Sequence, residues 1–308
     1  MKTAFQGKIR PPREGEAPAS AALVVGAYLR AVRLSRGMSG SEAAWGIGGS
    51  AAKVSRLETG RLHRVADAIR LLEYYGIDSK AHLRAVDHLF QKPHRHVLYD
   101  AVPGWLDRLH ACQRQADSTV IHTGHALPDF LRIPDYPVGL MAQHFRAELQ
   151  LHVPPRAPLT AGTGGDVTLL LDEMGLHRPL GDPDVMPAQI AHLKQLTSSP
   201  QGPRILVVPQ RVLPPRGLLL YQMTLHGHEL VAEEWANFVI YHTGEALEPW
   251  QHRLRVAMDA AVPLDDAAVC VNEGRAPVEE QAAAPSPPAR PVRTESRLYL
   301  APGGEGVL

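Results

Sequence analysis

Residues 34–60, LSRGMSGSEAAWGIGGSAAKVSRLETG, decide the reading of this chain. A helix ending at Arg36, with Gly37 as its C-cap, leads into Ser39, whose hydroxyl suits the N-cap of a second helix. That helix stops at Gly48-Gly49, Ser50 caps a third over AAKVSRLE, and Gly60 ends it. Two short helices about a glycine turn are the helix-turn-helix signature, in which the later helix enters the major groove of DNA. At about 100° per residue, Val54 and Leu57 share the core face, while Ala52, Lys53 and Arg56 lie opposite. The candidate DNA contacts are Ser50, Ala52, Lys53, Ser55, Arg56, Thr59 and Arg61. Small side chains permit close approach, Lys53 reaches phosphate, and Arg56 offers guanine two donors. The plainer alternative is a solvated basic face with no ligand.

Working outward, proline is absent between Pro18 and Pro93, which leaves room for a domain of about five short helices. Within residues 23–90, ten Lys and Arg stand against six Asp and Glu, a local +4 in a chain whose formal net charge is zero. The asymmetry favours an anionic partner for this part, while overall neutrality excludes a histone-like polycation. Residues 1–21, with Pro11, Pro12 and Pro18 and no periodicity, read as a flexible leader. The start lacks an apolar signal segment, and no apolar run approaches the ~20 residues of a membrane span. Cys112 and Cys270 have neither metal nor redox spacing. The expected location is therefore the cytoplasm.

Beyond Pro93, residues 98–150 read as mostly helical, and 153–165 as a Pro/Gly loop. Strands follow at Val167–Leu171, Ile205–Val208, Leu218–Leu225 and Leu230–Glu233, with His226-Gly227-His228 as a hairpin turn. A helix runs from Pro183 to Leu196, with Pro183 in its first turn, and another over Pro249–Ala261. From Gly274 the Pro/Ala-rich tail reads as disordered. The fold class expected is α+β: an all-helical helix-turn-helix domain at 22–95, a mixed α/β domain at 96–273, a leader at 1–21 and a tail at 274–308.

Three motifs carry a family resemblance. SAAKVSRLETGR (residues 50–61) resembles the recognition helix of phage-repressor-like (Cro/C1, or XRE) helix-turn-helix proteins. That resemblance implies an ion pair between Arg33 and Glu58, and tight interhelical packing at Ala44 and Ile47. Where the family commonly carries glutamine, this chain has Gly40, Ala51 and Ala52, and Trp45 replaces a usual polar residue. Trp45 is therefore expected to pack against a neighbouring segment. Residues 120–136, VIHTGHALPDFLRIPDY, and 169–193, LLLDEMGLHRPLGDPDVMPAQIAHL, resemble the DUF5753 region of WhiJ-like or Scr1-type antitoxin-like actinobacterial regulators. Asp129 and Arg132 depart from the first pattern, and the second matches closely. The resemblance covers about 23–262 and implies a transcription regulator with a partner-sensing C-terminal region, its partner often a small DUF397 protein.

Asp172, Glu173, His177 and Arg178 would form an acid/base cluster if they converged. Asp172 and Glu173 at a strand end instead point to opposite faces, and a carboxylate there can pair with Arg178 or cap the helix after the Gly181-Asp182-Pro183 turn. The close pairs His94/His96, His122/His125 and His226/His228 lack a metal-site context, and Trp105, Trp235 and Trp250 read as core. No catalytic residue, cofactor or metal is expected. The expected function is a non-enzymatic DNA-binding regulator of double-stranded DNA, a homodimer, gated by a small protein or ligand. Two alternatives stay open: an interaction module with weakened DNA readout, and an enzyme built on the second domain. The strands at Leu218–Leu225 and Leu230–Glu233 are expected to offer an edge that a second copy or a partner extends.

Overall fold

The structure, a computed structural model, describes residues 10, 12–13, 16–91, 94–124, 127–136, 166–177, 182–198 and 202–265. The expectations for 137–150, 153–165 and the tail, and those for His125, Arg178 and Cys270, lie outside the described residues. Met1–Val271 form one compact unit.

Five helices open the unit: α1 (Ser20–Ser35), α2 (Gly40–Gly46), α3 (Ala51–Glu58), α4 (Val65–Tyr74) and α5 (Lys80–Leu89). Helix α1 starts within the expected leader, with Ser20 and Ala21 already helical and buried. Its first ten residues, SAALVVGAYL, are buried without interruption, and a helix apolar on all sides needs neighbours on all sides. It packs against α3 and α4 on one flank and against α6 (Trp105–Gln115) on the other. Gly26 permits the first approach, because a Cβ there would lie 2.7 Å from the Leu57 carbonyl oxygen. On the second flank, Gln115 Nε2 donates to the Ala27 carbonyl at 2.5 Å. The helical core and the sheet core are thus one continuous cluster.

The sheet contains β1 (Val97–Asp100), β2 (Ser118–Thr123), β3 (Asp166–Asp172), β4 (Arg204–Val208), β5 (Leu219–Leu225), β6 (His228–Glu234), β7 (Val239–His242) and β8 (Val262–Pro263). Their order is β1-β7-β6-β5-β2-β3-β4-β8. β2, β3 and β4 run parallel, and the remaining pairings are antiparallel. Between β3 and β4 the chain crosses over through α7 (Glu173–His177) and α8 (Val185–Thr197). Helix α9 (Glu248–Ala260) precedes β8. Side chains alternate along each strand. Leu169, Leu171, Ile205, Val207, Tyr221 and Met223 join the cluster containing α1 and α6, whereas Leu170, Leu206, Val208 and Leu220 pack with Leu254 and Ala257 of α9.

Four expectations need correction. Residues 97–100 and 118–123 are strands, because VLYD and STVIHT find partners in β7, β3 and β5. β5 and β6 are interior strands, closed on both sides by β2 and β7, so they offer no free edge. Glu173 opens α7 rather than ending a strand. Pro183 lies in the turn ahead of α8. The β5–β6 hairpin has a two-residue turn, His226-Gly227, with φ of 52° and 75°, the left-handed pair that suits a tight hairpin.

A candidate nucleic-acid interface

Helix α2 begins with a reciprocal cap: Glu42 N donates to Ser39 Oγ at 3.2 Å, and Ser39 N to Glu42 Oε2 at 2.7 Å. Gly48, at φ 57°, turns the chain, and Ser50 Oγ accepts from Lys53 N at 3.2 Å to cap α3. Ala43, Ala44, Ile47, Val54 and Leu57 are buried between the helices. This packing fixes the angle at which α3 is presented.

An ion pair anchors the far end of α3. Arg33 Nε and Nη2 donate to the two Glu58 oxygens at 2.6 and 2.9 Å, and Nη1 donates to the Met38 carbonyl at 2.7 Å. Arg33 is 8% exposed and Glu58 2%. The carboxylate hydrogen bonds hold the Arg33 guanidinium charged more firmly than usual. One side chain thereby ties α1, the α1–α2 turn and α3 together.

The exposed side of α3 carries Ala51, Ala52, Ser55 and Arg56, and Arg61 follows, also exposed. Arg56 and Arg61 have no acidic partner within ion-pair distance among the described residues. Two other candidates are diverted. Lys53 Nζ lies 3.0 Å from Asp67 of α4, so an internal carboxylate takes part of its charge. The Thr59 hydroxyl donates to the Ser55 carbonyl at 3.0 Å, with the Arg56 carbonyl at 3.3 Å. Trp45 overturns its expectation outright, being 81% exposed. Ala43, Ala44 and Ile47 fill the interior side of α2, and Tyr74 lies against Gly46, leaving the indole outside.

Sequence reasoning missed the groups beside Arg61. Lys53, Arg56, Arg61, His63, Arg64 and Asp67 line a concavity of about 320 Å³. Arg61-Leu62-His63-Arg64, three basic side chains in four residues, was the available signal. A larger cleft of about 850 Å³ adjoins it, where Arg56, Arg61 and His63 meet Arg13, Glu16, Gly227, His228 and Glu229 among others. Burial, then the Arg61 charge, pushes the His228 pKa down.

The other expected sites do not assemble into one. Asp172 Oδ1 accepts from Met174 N at 2.8 Å, at the start of α7 and not of the helix after Gly181-Asp182-Pro183, the one expected to be capped. Glu173 accepts from Gln210 N at 2.9 Å and lies 3.9 Å from His177 on the same helix. His122 is fully buried in β2 with neither ring nitrogen hydrogen-bonded among the described residues, and burial followed by the nearby Arg253 charge lowers its pKa to about 4. His226 lies in the hairpin turn and His228 directly after it, with no metal-binding cluster among the described residues. Trp105 is buried, and Trp235 and Trp250 are half-buried. No helix among the described residues is long and apolar enough to cross a membrane.

No curated protein matches the chain. A family model described as a helix-turn-helix domain matches residues 24–86, the segment containing α2–α4 and most of α1 and α5. A second, described as a domain of unknown function (DUF5753), matches residues 106–273, more than half of the 308 residues. The chain therefore belongs to the DUF5753 family and carries a helix-turn-helix domain, the mark of a DNA-binding regulator, ahead of the family region.

Proposed function

We propose that this protein controls transcription by binding double-stranded DNA through α3, and that an antitoxin-like pairing with a small protein gates it. The observation that carries DNA binding is the exposed face of α3, with Arg56 and Arg61 exposed and without an ion pair among the described residues. The Arg33–Glu58 pair holds that face in place. Arg56 supplies the bidentate contact that favours guanine, while Arg61 and Arg64 meet phosphates. Ala51, Ala52 and the diversion of Lys53 leave few base-bonding groups, so one copy reads little sequence. Binding as a homodimer compensates, since two half-sites add their affinity. Trp45 and Leu34, both strongly exposed, support a protein contact on the helical part. The partner is a small acidic protein of the DUF397 type, the setting is the cytoplasm, and the chain performs no catalysis. Asp172 and Glu173 support that last point, because both accept backbone hydrogen bonds at the end of β3.

The same alanines favour a second reading, an interaction module whose recognition helix no longer selects DNA. Selection from a random duplex library with the full chain separates the two. An enriched half-site containing a guanine lost on Arg56→Ala supports the regulator; no enrichment, with or without partner, supports the interaction module.

A further inference from the structure

The two concavities share Arg56, Arg61 and His63, and so form one trough with basic groups at both ends. Arg64 stands at the α4 end. At the other end are Arg13 of the N-terminal segment and His228, which opens β6 beside the turn of the β5–β6 hairpin. These groups come from segments more than 200 residues apart in sequence and meet only because the helical and sheet cores are continuous.

The charges along the trough are not balanced internally. Its three carboxylates are already engaged, Asp67 with Lys53 Nζ at 3.0 Å. Glu16 accepts from Arg10 at 3.1 Å and from Arg13 N at 2.9 Å, with Arg95 Nε 3.5 Å away. Glu229 accepts from Gln222 and Gln251. Among the described residues no carboxylate lies within ion-pair distance of the Arg13, Arg56, Arg61 or Arg64 guanidinium, and Glu16 feels the Arg13 charge only from farther away. Apart from the imidazoles of His63 and His228, the lining offers no ring to stack on a small planar ligand. A row of unpaired cations in an open trough that continues the recognition face suits a long polyanion better than a compact molecule.

We propose that this trough seats the phosphodiester backbone of DNA, so that the N-terminal segment at Arg13 and the β5–β6 hairpin at His228 belong to the DNA-binding surface. The inference rests on the DNA-binding function above and extends it into the DUF5753 region. That region then touches the duplex beside the recognition helix, in the manner of a wing. Phosphate contacts fix register without reading sequence, which suits a recognition helix poor in base-bonding side chains.

The test is the salt dependence of binding between the full-length chain and a labelled duplex, followed by fluorescence anisotropy. Arg13→Ala should make the slope of log affinity against log salt shallower by ~0.9, the value for one lost phosphate contact, with an unchanged melting curve. Glu229→Gln removes a negative charge from the trough and should tighten binding about twofold or more at low salt, a gain that misfolding cannot produce. Wild-type slope and affinity in both variants would overturn the proposal while leaving DNA binding through α3 intact. No duplex binding by the wild-type chain would instead refute the function on which it rests. Inorganic pyrophosphate that raises the melting temperature through Arg13 and Arg61, with the DNA slope unchanged in Arg13→Ala, would also overturn it, in favour of a small-anion site.

Discussion

Arg33→Ala tests how the recognition helix is held. In the native protein Glu58 is 2% exposed and receives two short hydrogen bonds from Arg33. After truncation its nearest cation is Arg30, whose Nη1 lies 4.0 Å from Oε2 on a side chain that is 40% exposed. A solvated guanidinium at that distance compensates a buried carboxylate weakly. The Met38 carbonyl also loses its donor from Arg33 Nη1, loosening the α1–α2 turn. Breaking a buried pair by removing one partner costs about 3–5 kcal/mol. For a chain of this size, 1 kcal/mol shifts Tm by about 2–4 °C, so Arg33→Ala should melt roughly 6–20 °C lower. The paired replacement Arg33→Met/Glu58→Leu removes both charges and should recover most of that loss. Differential scanning calorimetry of the three full-length proteins reads the result. An Arg33→Ala protein melting within 2 °C of wild type (about 1 kcal/mol or less), or a double variant no better than the single, would refute the reasoning.

Other consequences follow from burial. His122 is neutral in the fold with its pKa near 4, pushed down from 6.5 by burial, so on acidification the unfolded chain takes up the proton first. Its contribution is retained above pH ~6.5 and lost as pH falls toward 4, reaching about 2 kcal/mol at pH 5; urea midpoints of wild type and His122→Leu at pH 7 and pH 5 should diverge by that amount. Gly26→Ala drives a Cβ to 2.7 Å from the Leu57 carbonyl and 2.8 Å from that of Glu58, and should cost about 1–3 kcal/mol and weaken DNA binding, read by denaturation and anisotropy. Arg108 donates to both Asp100 oxygens at 2.6 and 2.7 Å with neither residue exposed. Arg108→Met strands that carboxylate and should cost about 3–5 kcal/mol in the urea midpoint, although Arg108 is far from α3 in sequence and outside the trough.

The helical part was largely readable because its boundaries are set locally. Gly37, Ser39, Gly48, Ser50 and Gly60 each act on their own neighbours, and each stands where a cap or turn requires it. The Arg33–Glu58 pair came from the family resemblance and is present. What failed depends on distant residues. β1 and β2 are not legible as strands in the sequence because their pairing with β7 and β5 spans more than a hundred residues. The same closure removed the edge expected of β5 and β6. Lys53 looked free until Asp67 of α4 folded beside it. Trp45 looked like packing material, since nothing in a lone sequence reveals that the interior side of α2 is already filled by Ala43, Ala44 and Ile47. The trough was invisible because Arg13, Arg61 and His228 meet only in three dimensions. One clue did go unused: SAALVVGAYL is apolar on every side of a helix, which already required α1 to be buried by more than the other four helices.

The central claim is that the exposed side of α3 is where DNA is held. It is tested most directly by titrating the full-length wild-type protein and Arg56→Ala with the duplex recovered from library selection, at one fixed salt concentration, and comparing dissociation constants. Arg56 is exposed and makes no ion pair among the described residues, so its removal should leave the melting curve unchanged while weakening binding by ~1–3 kcal/mol, roughly five- to 150-fold. Equal affinity of the two proteins for that duplex would contradict the account.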